Sequence, residues 1–94
     1  MIMKEFEDAI LIRRYNKELP GMNYKSTEKV ASIVKWQEIQ QEYQVKKSFN
    51  KVIRNLISKM FIDDHGKRGE VASLSKIGTQ YVRELQDNYK LSLL

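Results

Sequence analysis

Ninety-four residues suit one small domain, and a chain that is 41% hydrophobic and 31% charged is too apolar to remain disordered. The absence of cysteine excludes disulfides, thiolate chemistry and cysteine-based zinc sites, and lends no support to secretion. The net charge of +5 is placed unevenly: residues 46–68 carry seven basic side chains against Asp63 and Asp64, while the rest of the chain balances ten against ten. A positive field gathered into a quarter of a sequence attracts a polyanion, most commonly nucleic acid.

The N-terminus places Glu5, Glu7 and Asp8 ahead of a short apolar run, the reverse of a signal peptide. The longest uninterrupted apolar stretch, Ala9 to Ile12, is far too short to cross a bilayer. A cytoplasmic protein without a membrane contact is the expectation. Residues 4–18 read as a helix, with acids leading and Arg13, Arg14 and Lys17 following, as the helix dipole favours. Its apolar residues Phe6, Ile10, Leu11, Ile12 and Tyr15 cover more than one face, which suits burial against the body or a dimer contact. Pro20-Gly21 ends it and Met22 to Lys25 forms a connector.

Ser26 is placed to cap the next helix. Residues 26–44 hold no Gly or Pro, and two apolar sets at helical spacing (Val30, Ile33, Val34; then Trp36, Ile39, Tyr43) fit two short helices or one long bent one, with two that change direction near Lys35-Trp36 the favoured reading. Trp36 and Tyr43 are expected in the core rather than stacked on bases. Phe49, Val52, Ile53, Leu56, Ile57 and Met60 then make one apolar stripe, with Lys47, Asn50, Lys51, Arg54 and Ser58 opposite, so a helix over roughly 46–60 has one face for burial and one for a charged partner. Phe61-Ile62 predicts a short strand, Asp63 to Gly69 a hairpin loop with turn glycines Gly66 and Gly69, and Val71 to Leu74 the returning strand. Ser75 caps a final helix over 75–90 whose apolar side is Ile77, Tyr81, Val82, Leu85 and Tyr89, and the apolar tail Leu91 to Leu94 is expected to be covered.

This order of elements resembles the winged helix domains of MarR- and PadR-type transcriptional regulators. The residues that carry the likeness are Glu38 to Val45 (EIQQEYQV), similar to the second helix and turn of a helix-turn-helix; Leu56 to Ile62 (LISKMFI), similar to the end of a recognition helix and the first wing strand; and Leu74-Ser75-Lys76-Ile77-Gly78, similar to the L-[ST]-x-x-G stretch after the second wing strand. In that stretch the hydroxyl caps a helix and the glycine lets two elements approach closely. The likeness spans roughly residues 37–86. Gln44 departs from it, standing where the turn often has Gly, and Met60 stands where many winged helices have Gly before the strand.

The resemblance implies a mainly α fold with a small β-hairpin: a winged helix-turn-helix with an additional N-terminal helix (residues 1–20) and a C-terminal helix. Helices over 26–60 would include the helix-turn-helix and 61–74 the wing. It implies a homodimeric regulator of double-stranded DNA whose two recognition helices lie about one DNA turn apart, roughly 34–36 Å. Asn50, Lys51 and Arg54 are then the candidates for reading base edges, and Lys46, Lys47 and Ser48 for holding phosphates. Lys67 and Arg68 at the hairpin tip would reach the backbone or minor groove, with His65 a turn residue beside them. Asp63 and Asp64 oppose that contact unless they point away or pair with the two cations. Ile10, Ile12, Leu85 and Tyr89 are the expected dimer contacts.

Single His65 lacks the partners a metal site or a general base needs, and no phosphate-binding loop, zinc-protease or nucleophile-elbow motif occurs. No enzymatic activity, cofactor, metal or small-molecule ligand is therefore expected. The rival reading is a winged-helix adaptor, possible in a mobile element, whose basic face docks on an acidic protein. An RNA-binding role lacks a stacking-aromatic or GXXG motif.

Overall fold

In the computed structural model, residues 3–16, 25–65 and 71–92 are described, apart from the side chains of 25, 71 and 89–92. The chain is mainly α. Among the described residues, helices α1 (Glu5–Asn16), α2 (Thr27–Ile33), α3 (Trp36–Tyr43), α4 (Phe49–Ser58) and α5 (Lys76–Ser92) surround strands β1 (Lys25–Ser26), β2 (Ile62–Asp64) and β3 (Val71–Leu74). The strands form one antiparallel sheet in the order β1-β3-β2. The connector's last residue, Lys25, thus lies in a strand, paired with Ala72, because β3 presents a second edge whose backbone groups need partners. Asp63 and Asp64, expected in the loop, extend β2 by pairing with Ser73 and Ala72. Ladder hydrogen bonds here override the low strand propensity of aspartate.

Three of the helices, α2, α4 and α5, start where a serine hydroxyl receives a free N–H, whereas α3 starts at Lys35 without a side-chain cap. Ser26 Oγ accepts from Lys29 N (3.2 Å), Ser48 Oγ from Lys51 N (3.3 Å) and Ser75 Oγ from Gly78 N (2.8 Å). The Ser48 cap sets the start of α4 at Phe49, shorter than the 46–60 span read from the stripe. The turn between α2 and α3 comes at Lys35, whose left-handed φ of 55° breaks the helix where the two apolar sets change register. At the far end of α4, Met60 N–H returns to Ile57 O and Phe61 N–H to Leu56 O, with Met60 left-handed at φ 69°. That is a Schellman closure with methionine in the position glycine usually holds.

One core joins all five helices and the sheet. Ile10 and Leu11 of α1 meet Val30 of α2 and Val34 at its C-cap, Trp36 and Ile39 of α3, the α4 stripe Phe49, Val52, Ile53 and Leu56, Ile62, Ala72 and Leu74 of the sheet, and Val82 of α5. Trp36 lies in that core with its ring 5.2 Å from Phe49, and Tyr43 is half-buried against it. Ser75 Oγ also donates to Met60 O (2.7 Å), and Gly78 lies directly on Phe61, where a Cβ would overlap the Phe61 carbonyl oxygen. The LSKIG stretch thus fastens α5 to the exit of α4.

The N-terminal helix corrects one expectation. Its buried face is Glu7, Ile10, Leu11 and Arg14. Ile10, expected at a dimer surface, is fully enclosed by the chain's own core and has no area left to offer a second copy. Outside the core, α1 is stitched to α5 by Tyr81 Oη–Asp8 Oδ1 (2.7 Å), Arg83 Nε–Tyr15 Oη (3.2 Å) and Gln86 Nε2–Asn16 Oδ1 (3.3 Å). Ile12 and Leu85 are half-buried. The Tyr89 side chain, Pro20-Gly21 and the side chains of tail residues 91–94 lie outside the described residues.

Candidate nucleic-acid interface

The site is built on α4. An amphipathic helix can bury only one side, and here Phe49, Val52, Ile53 and Leu56 face the core. The opposite side, Asn50, Lys51 and Arg54, is fully solvent-facing, and Lys46, Lys47 and Ser48 on the approach to the helix are exposed as well. The α3–α4 connection begins at Gln44, left-handed at φ 54°, after which Val45 N–H reaches back to Gln40 O (3.0 Å). None of Lys46, Lys47, Lys51 or Arg54 forms an ion pair with a carboxylate among the described residues. Ser48 uses its oxygen as an acceptor for the cap, which leaves the hydroxyl proton available to an outside acceptor.

The linear charge map included one cation that the fold withdraws. Lys59 turns inward, with its side chain only 16% exposed, and its Nζ lies 3.0 Å from both carboxylate oxygens of Glu7. Glu7, itself 1% exposed, also accepts from Asn55 Nδ2 (3.0 Å) and Lys4 N (3.2 Å). This network clamps α1 to the outer flank of α4. Helical periodicity of apolar residues could not reveal it, because Glu7 and Arg14 occupy buried positions that polarity assigns to the surface.

His65 follows β2 and is exposed, with Nε2 2.8 Å from Ser73 Oγ on β3. The fold therefore places it on the hairpin, away from α4's first turn in sequence. Lys67 and Arg68, with Gly66 and Gly69, lie outside the described residues. Asp63 and Asp64 are both exposed along β2. Lys4 is the residue the sequence left unnoticed. It precedes α1, yet it lines a cleft with Lys47 and Lys51 of the α4 flank.

Among the described residues no cluster of His, Asp or Glu could hold a metal ion. No described helix is long and apolar enough to cross a membrane. No family model, curated protein or solved structure matches the chain.

Proposed function

We propose that the chain is a winged helix-turn-helix domain that binds double-stranded DNA. In this reading α3 and α4 are the helix-turn-helix, α4 enters the major groove, and the β2–β3 hairpin is the wing. The observation that carries it is the outer face of α4. A helix with its apolar stripe in the core holds Asn50, Lys51 and Arg54 toward solvent, approached by Lys46 and Lys47, without ion-pair partners among the described residues. Asn suits adenine and Arg or Lys suits guanine by bidentate or paired hydrogen bonds at the groove edge. Lys46, Lys47 and the Ser48 hydroxyl then act on phosphates and fix register. The hairpin that follows α4 directly, and the strand order β1-β3-β2 beneath it, are in keeping with the same architecture.

A regulator of this kind would work as a homodimer on a near-palindromic site. A body of 43 × 32 × 24 Å is the right size for two copies to set equivalent helices about one DNA turn apart. With α1 engaged by its own chain, we assign that contact to α5, where Leu85 is half-buried and Ile77 is exposed.

Fluorescence anisotropy with random-sequence duplex DNA at low salt tests the reading. Binding is expected to weaken steeply with salt, by a log–log slope of about −0.9 for each phosphate contact. Lys51→Glu with Arg54→Glu should abolish binding and leave thermal unfolding unchanged, because both side chains are exposed. Absence of binding at micromolar protein would instead favour docking of this face on an acidic protein.

A further inference from the structure

Beside the outer face of α4 lies a cleft of about 250 Å³, lined by Lys4, Phe6, Lys47, Lys51, Val52 and Asn55. Its walls come from the start of α1 and from the first two turns of α4 with the residue before the Ser48 cap. Three ammonium-bearing chains surround this space, and among the described residues no carboxylate lines it. Among the described residues, none of the three lysines forms an ion pair. The acid closest in sequence on the α4-facing side of α1, Glu7, is closed off: Lys59, Asn55 and the Lys4 backbone N–H occupy its oxygens. Lys4 Nζ lies over the face of Phe6, 5.9 Å from the ring centroid.

Like charges gathered around a concavity raise its potential and favour an anion there. The space holds roughly eight water volumes, at about 30 Å³ each, which is ample for one tetrahedral phosphate group and part of its hydration. Lysine serves such a group as a mobile point charge, and three of them need no fixed fork geometry.

We propose that this cleft receives one backbone phosphate of the duplex at the edge of the groove that α4 enters, and that Lys4, the residue just ahead of the N-terminal helix, is a phosphate contact. The assignment rests on the DNA-binding reading and extends the interface from one helix to two. Because Glu7 ties α1 to Asn55 and Lys59, the phosphate held by Lys4 fixes how α4 lies along the groove. The contact carries no base information, so it acts equally on every sequence.

The test compares the parent, Lys4→Gln and Lys35→Gln by anisotropy on the same duplexes over a salt series. Lys35 is exposed and lines other clefts with Glu38, so it serves as the charge-matched control. Lys4→Gln should lower affinity about three- to tenfold at low salt on all sequences alike and reduce the salt slope by about 0.9. Lys35→Gln should leave the slope unchanged, and both variants should melt with the parent. A parent that binds DNA while Lys4→Gln retains its affinity and slope overturns the cleft assignment and leaves the recognition-helix reading standing. A parent that binds no duplex overturns both. Saturable shifts of the Lys4 and Asn55 amide resonances with millimolar inorganic phosphate alone would make this a free-anion pocket and overturn its assignment to the DNA backbone.

Discussion

At Met60 a methionine occupies a backbone conformation that L side chains enter at a cost of about 1–2 kcal/mol, and its side chain is 64% exposed, so little packing offsets that cost. Met60→Gly should therefore stabilise the protein by roughly 0.5–1 kcal/mol, read as a rise in the urea midpoint at constant m-value. Gln44, left-handed and exposed in the α3–α4 turn, should behave alike. The sequence shows both residues as departures from a glycine pattern, and the backbone nevertheless takes the glycine conformation at each. Gly78 is the converse case. Its hydrogen faces the Phe61 backbone, so Gly78→Ala must push α5 off the exit of α4, at about 1–3 kcal/mol, lowering Tm by several degrees in a domain of this size. Tyr81 adds a pH dependence. Burial, and then the bond to Asp8, hold its phenol well above the ordinary tyrosine range. The protonated phenol is the form the fold favours, so its contribution is complete below about pH 10 and is lost as pH rises toward the folded value. Tyr81→Phe should cost about 1 kcal/mol at neutral pH and flatten the alkaline fall in stability followed by circular dichroism.

At the scale of elements, serine caps and apolar stripes were legible because they are local. Ser26 and Ser75 each receive an N–H three residues on, and the α4 stripe needs only its own ten residues, whereas the Ser48 cap lay hidden inside the span read as helix from 46. The illegible parts were long-range. β1 exists because β3 has an edge to fill, and the Glu7 clamp joins residues 48 and 52 positions apart. The clamp predicts an asymmetry between its partners. Lys59→Met leaves the Glu7 carboxylate enclosed without its ammonium and should cost about 3–5 kcal/mol by chemical denaturation. Glu7→Gln removes the buried charge and should cost less, since Lys59 can turn back toward solvent. Of the candidate interface, the α4 residues were readable from charge and periodicity. Lys4 was not, because only the docking of α1 brings it there.

For the whole molecule, α1 packs on both α3 and α5, and it supplies two of the most deeply buried core residues, Ile10 and Leu11. A deletion of residues 1–16 is thus expected to unfold the domain, visible as loss of its cooperative melting transition, rather than to yield a folded monomer. Oligomeric state is better probed at α5. Leu85→Glu should lower the solution mass measured by light scattering if a second copy covers that face, with the melting transition retained.

The sheet order has a consequence for how the chain is made. Its middle strand, β3, is encoded after all three central helices, and β1 cannot pair until residues 71 and 72 exist. The partner of α1 on its polar side, α5, comes later still. A chain emerging from the ribosome therefore leaves Asp8, Tyr15 and Asn16 without these partners until residues 81–86 are synthesised, and the α1–α5 contact waits for that helix to leave the exit tunnel.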